Sequence, residues 1–163
     1  PVDTRCINWL TRGMAERITV TLHELVAELD IYADAHLREH HGVSYNLFEL
    51  LATLAETAPI DITGHARCLR VTKAAVSKRV PTLVADGWIT ADGGEGRRIV
   101  LGLTPRGADL VRIAGGELEA EFAGMLAEMR DGPASAGDPI DDGALNAHLA
   151  RLTDIVISKG RSL

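Results

Sequence analysis

Between Thr72 and Arg98 the chain carries basic and small polar side chains in an order suited to contacts with phosphates and base edges. Lys73, Lys78 and Arg79 share one short segment with Ala74, Ala75, Ser77 and Thr82, and Arg97 and Arg98 follow a glycine-rich tract downstream. Lysine and arginine so placed neutralise phosphates or read guanine, and small neighbours let a helix sit deep in a major groove about 12 Å wide. Thr72, Lys73 and Ser77 fall where a helix would begin, and free N–H groups there also favour a phosphate. The candidate contact set is Thr72, Lys73, Ala75, Ser77, Lys78, Arg79, Arg97 and Arg98. For each charge taken alone, the simpler reading is a solvated helix face or hairpin tip, and only the surrounding elements decide between the two.

The net charge of −6 argues at first against a nucleic-acid ligand, since phosphate binding needs a positive surface. The distribution reverses that inference. From His65 to Gly107 there are eight basic residues (Arg67, Arg70, Lys73, Lys78, Arg79, Arg97, Arg98, Arg106) against three acidic ones (Asp86, Asp92, Glu95). The remainder holds 9 basic and 20 acidic residues, so a basic module is set in an acidic frame.

Other chemistries are weaker. His36, His40 and His41 include an i, i+4 pair that could share a metal, but no further ligand is clear nearby, and histidines at a helix C-terminus are commonly solvated. No metal and no cofactor are expected. Cys68 lies beside Arg67 and Arg70, which could lower its thiol pKa for redox sensing; the alternative is a small buried hydrophobe. Cys6 and Trp9 belong to an N-terminal extension. P-loop, GxSxG, HExxH and dinucleotide fingerprints are absent, and His65 with Asp61 finds no third partner, so no catalytic residues are expected. No apolar run approaches the ~18 to 20 residues needed to cross a bilayer, and no basic-then-apolar leader is seen, which predicts a soluble cytoplasmic protein without membrane contact.

The elements that must position the basic residues follow from periodicity and caps. Residues 19 to 39 place Leu22, Leu25, Val26, Leu29 and Ala33 at helical spacing, with a stop at His41-Gly42. Ser44 caps a second helix carrying Leu47, Phe48, Leu50, Leu51 and Leu54, which ends before Pro59. Asp61 or Thr63 could cap a short helix over 61 to 69, in which Gly64 lowers propensity by roughly 1 kcal/mol relative to alanine. Thr72 caps a helix over 73 to 85 with an inward stripe of Val76, Val80, Leu83 and Val84, leaving Ala74, Ala75, Lys78, Arg79 and Thr82 outward or sideways.

Trp88 to Ala91 and Arg97 to Leu103, joined through Asp92-Gly93-Gly94-Glu95-Gly96, read as a β-hairpin with Ile99, Leu101 and Leu103 alternating. Thr104-Pro105 opens a long helix that Gly115-Gly116 should kink or weaken. Residues 131 to 143 have a loop composition, and a final helix carries Leu145, Leu149, Leu152, Ile155 and Val156 on one side. The expected fold is mainly α with a small β-hairpin wing, a winged helix-turn-helix in which the helix over 73 to 85 enters the major groove.

The run Val71-Thr-Lys-Ala-Ala-Val-Ser-Lys-Arg-Val-Pro-Thr-Leu-Val-Ala-Asp-Gly-Trp-Ile, followed by Gly96-Arg-Arg-Ile-Val-Leu-Gly-Leu-Thr-Pro-Arg-Gly107, resembles the recognition helix, wing and following helix start of MarR transcription regulators. The likeness covers roughly residues 20 to 130. It departs at Gly96, where the family usually carries an Asp that bridges to a wing arginine, and at Pro81 inside the recognition helix. It implies one domain over 1–163, with dimerisation helices at about 8–41 and 104–160 and a DNA-binding part at about 44–103. It further implies a homodimeric repressor on a pseudo-palindromic double-stranded operator, released by a small organic-acid effector for which Tyr32, His36 and Arg17 are candidate contacts. The competing readings are a winged-helix protein-interaction module without DNA binding, and a metal- or redox-sensing variant.

Overall fold

The computed structural model describes residues 17–94, 98–131 and 141–160, which fall into two compact units divided between Gly116 and Glu117. In the first unit, α1 (Ile18–His41) ends where Gly42, at φ +67°, turns its N–H back to the Leu37 carbonyl. A left-handed residue at that point stops the helix, and glycine adopts it without a Cβ penalty. Ala33 and Leu37 are buried, and the Asp34 carboxylate accepts a hydrogen bond from the Tyr45 amide at 2.8 Å. That bond ties the middle of α1 to the start of α2 (Tyr45–Thr57).

Ser44 caps α2 as expected, its Oγ accepting from the Leu47 amide at 3.3 Å. Leu50, Leu51 and Leu54 are almost wholly buried and, with Ile62, Ala66, Val76, Val80, Leu83, Ile89 and Leu101, make up the core. Spacing of i, i+1 and i+4 puts the three leucines on one face of α2, and full burial of each side chain contributes about 1.5–3 kcal/mol.

A two-residue strand, β1 (Ile60–Asp61), precedes α3 (Ile62–Cys68). Asp61 both pairs in the sheet and caps α3, accepting from the Gly64 amide at 2.7 Å. Gly64 has a packing reason as well: a Cβ there would lie 2.7 Å from Ile60 Cγ1. The turn into α4 (Lys73–Ala85) passes through Arg70 in a left-handed conformation, φ +56°, and closes with the Val71 amide bonding the Ala66 carbonyl at 3.0 Å.

Strands β2 (Ile89–Gly93) and β3 (Ile99–Leu103) form the hairpin, and β1 joins its far edge to give an antiparallel sheet in the order β1-β3-β2. The register sets Ile60 opposite Leu101 and Ile89 opposite Leu103. Leu101 and Ile89 therefore reach the core from neighbouring strands. Ile99, expected to continue the inward alternation, is exposed, because its register partner Gly93 lies near the hairpin tip.

The last helix to begin in the first unit is α5 (Pro105–Asp131). Its early residues Leu110 and Val111 pack on the core, and Ala114 is fully buried. The helix is unbroken through Gly115-Gly116, where a kink or weakening was expected, although the boundary between the units falls there.

The second unit holds the rest of α5 and α6 (Asp142–Gly160). Arg130 Nη1 meets Asp142 Oδ2 at 2.6 Å, an ion pair between the end of α5 and the start of α6. Among the described residues of α6 none is buried, and Leu149, Leu152, Ile155 and Val156 are all exposed. No described helix is long and apolar enough to cross a membrane.

Candidate nucleic-acid interface

The outward face of α4 is built by its cap and its buried stripe. Thr72 Oγ1 accepts from the Ala75 amide at 3.2 Å, fixing the first turn. Val76, Val80 and Leu83 face the core, which leaves Lys73, Ala74, Ala75, Ser77, Lys78 and Thr82 exposed. Val84 was expected inward but is 41% exposed: eight residues beyond Val76, at 100° each, it is rotated about 80° off the stripe. Pro81 sits on the exposed side of a helix that continues past it to Ala85.

Arg79 is placed differently from Lys73 and Lys78. It lies on the flank of α4, half-buried, and its Nη2 donates to the Asn46 carbonyl of α2 at 3.4 Å. Burial pulls its pKa down and the Glu49 carboxylate pushes it up. With Asn46, Glu49 and Val71 it borders a cavity of about 180 Å³ between α2 and α4. Of the wing arginines, Arg98 is exposed beside the hairpin tip, where its carbonyl accepts from the Gly94 amide at 2.8 Å. Arg97 lies outside the described residues.

Behind α4 the structure holds a group that periodicity did not single out as core. His65 is fully buried, and neither ring nitrogen has a hydrogen-bond partner. Burial, reinforced by the positive charge of Arg79, lowers its pKa, which favours the neutral ring. The only available signal was its place on the inward side of α3, three residues after Ile62 and next to Ala66.

A second feature joins α4 to the wing. Arg106 donates from Nη1 to the Asp86 carbonyl at 2.6 Å and stacks over the Trp88 ring, its Cζ 3.8 Å from the centroid. Thr104 Oγ1 donates to the Gly87 carbonyl at 2.6 Å, with the Trp88 carbonyl also within reach at 3.1 Å. Neither contact follows from helical or strand periodicity.

The remaining candidates are placed as follows. The rings of His36 and His40 stack with centroids 4.3 Å apart, and His40 Nδ1 hydrogen-bonds the His36 carbonyl at 2.9 Å. Tyr32 lies 6.3 Å from the His36 ring, whereas Arg17 precedes the first turn of α1, about 22 Å away along a helix rising 1.5 Å per residue. These three do not line one pocket within a chain. Cys68, read as a small buried hydrophobe or a redox thiol, is exposed at the last residue of α3. Cys6 and Trp9 lie outside the described residues.

No family model and no curated protein matches the chain. Solved structures do. A MarR/EmrR family transcriptional regulator from Acinetobacter sp. ADP1 superposes with a TM-score of 0.71 at 18% identity, covering 93% of this chain and 99% of that one. The chain has the MarR-type winged helix fold. FabT of Streptococcus pneumoniae, solved in complex with DNA, matches at TM-score 0.66 and 16% identity over 91% of this chain and 99% of that one. The Staphylococcus aureus MepR–DNA complex matches at 0.64 and 19% over 86% and 96%. In MarR-type terms, α4 stands at the recognition-helix position and β2–β3 form the wing.

Proposed function

We propose that this chain is a cytoplasmic, homodimeric transcription regulator that binds double-stranded DNA sequence-specifically. The observation that carries the reading is the outer face of α4. A helix anchored by Val76, Val80 and Leu83 presents an exposed face of Lys73, Lys78 and small residues. That is the arrangement a major-groove reader needs: a rigid rod, small enough to enter, with cations at its edge. The likeness to FabT and MepR, each solved on DNA, supports it.

In this reading Thr72, Lys73, Ala75, Ser77 and Lys78 meet the groove and its phosphates, with Arg98 and Arg97 reaching the adjacent backbone from the wing. Arg79 braces α4 against α2 instead of reading a base. The part over 44–103 forms the DNA-binding module, and helices over 8–41 and 104–160 pair two copies so that the modules meet half-sites about one helical turn apart. The regulator is a repressor, released when a small organic acid binds. It has no catalytic step.

Titration of a random-sequence duplex over a range of salt concentrations tests the core of this proposal. Binding should weaken steeply as salt rises, as expected for several neutralised phosphates. Absence of binding at low salt, or binding without a salt slope, would end it. Sedimentation of the free protein should give a dimer, and candidate aromatic acids should lower its DNA affinity.

A further inference from the structure

The junction between α4 and the wing spans Asp86, Gly87 and Trp88, and all three of its carbonyls are held by the residues that open α5. The Asp86 carbonyl accepts from Arg106 Nη1 at 2.6 Å and the Gly87 carbonyl from Thr104 Oγ1 at 2.6 Å. The Trp88 carbonyl accepts from the Thr104 amide at 3.2 Å. Thr104 Oγ1 in turn accepts from the Gly107 amide at 3.1 Å. Gly107 must be glycine for this approach, since a Cβ there would lie 2.3 Å from the Trp88 carbonyl oxygen. The guanidinium of Arg106, its Cζ 3.8 Å from the Trp88 ring centroid, covers the outer side.

We infer that Arg106 is a positioning residue for DNA recognition, a latch that uses the Asp86 carbonyl and the Trp88 ring to fix the angle between recognition helix and wing. The inference rests on the DNA-binding reading above. α4 has 13 residues and so is about 20 Å long; a tilt of about 10° at Asp86 would displace its other end by about 3 Å. Flexible lysines meeting phosphates tolerate such a shift, whereas base-edge contacts do not. Loss of the latch should therefore lower discrimination between sequences far more than attraction to DNA. The rival role for an exposed arginine in this basic stretch is a direct phosphate contact.

The test uses the full chain. Wild type selects a preferred sequence from a random duplex library. Affinity for that sequence and for bulk random duplex is then measured over a salt series for wild type, Arg106→Met and Arg106→Lys. Arg106→Met should lose on the order of tenfold on the selected sequence, the weight of about one mismatched base pair, and less than about twofold on random duplex. The salt slope should not change, and Arg106→Lys should fall between. Equal loss on both duplexes with a slope shallower by about 1 would assign a phosphate contact and overturn the latch, as would no loss on either. Trp88→Leu, which removes the ring instead, should reproduce the Arg106→Met pattern.

Hydrogen exchange separates failure of the latch from failure of the DNA reading. The Gly87 and Trp88 amides bond the Val84 and Leu83 carbonyls, and they should exchange faster in Arg106→Met while the Leu50–Leu54 amides keep their protection. Unchanged exchange at the junction overturns the latch even if the protein binds DNA. Wild-type protein that binds no duplex overturns the DNA reading and, with it, the role of Arg106 in discrimination, whatever the exchange result.

Discussion

Helices α4 and α6 carry similar apolar content but use it in opposite ways. In α4, Val76, Val80 and Leu83 are buried against the chain's own core and the exposed face is basic or small. In α6, no described residue is buried and Leu149, Leu152, Ile155 and Val156 stand in the open. The N-terminal part of α1 resembles α6, with Ile18, Leu25 and Val26 exposed. An apolar face of that kind is costly to leave in water, and scattered exposed leucines alone do not form such a stripe. The difference separates an element folded by its own chain from elements whose burial, in the proposed dimer, is completed by a second copy.

The largest expected effect comes from α6. Replacing Leu152 and Val156 with glutamate should convert the dimer to monomers in sedimentation and reduce affinity for a two-half-site duplex by about 10²–10⁴, because the gain from linking two binding modules is lost. A dimer that persists would break the comparison with α4. Next is the core: Leu51→Ala should cost about 2–5 kcal/mol in denaturant unfolding whatever the protein concentration. Leu152→Ala should instead show a stability loss that depends on protein concentration, as a subunit contact requires.

A smaller change is expected at the outer face of α4. Lys73→Ala with Lys78→Ala should leave the unfolding midpoint within about 0.5 kcal/mol of wild type. It should also flatten the salt slope for random duplex by about 2, one unit for each lost phosphate contact. A large stability loss would show that these side chains serve the fold.

The smallest effect is the pH dependence contributed by His65. Its folded pKa is lowered by burial and by Arg79, so the unfolded chain takes up the proton first. Its contribution is therefore neutral to stability above the usual histidine pKa of about 6.5. Stability is then lost as pH falls below that value, by at most about 1.4 kcal/mol per pH unit. Comparison of unfolding at pH 7 and pH 5 for wild type and His65→Leu checks this: the variant should lose less stability over the interval.

The helix borders were legible because caps are local chemistry. Ser44, Asp61, Thr72 and Thr104 each satisfy the amide three residues onward, so a few neighbouring residue types suffice to place a helix start. The same holds for the hairpin, whose glycine-rich tip and alternating strand announce a turn. β1 escaped notice because two residues carry no period, and its existence depends on pairing with β3, some forty positions away.

The basic face was legible only in part, for the same reason. Helical geometry is periodic, so the residues opposite Val76 and Val80 could be placed outward from their numbers alone, and Ala74, Ala75, Lys78 and Thr82 are indeed exposed. What Arg79 touches is settled by Asn46, 33 positions earlier, and the partners of Arg106 lie 18 and 20 positions before it. The burial of His65 likewise depends on where the neighbouring elements pack. Sequence by itself determined the order of the helices and the hairpin, their caps and the existence of a basic module between His65 and Gly107. Tertiary structure decided which of its cations face solvent and which brace the module, because a side chain's partner across elements is set by packing and not by periodicity.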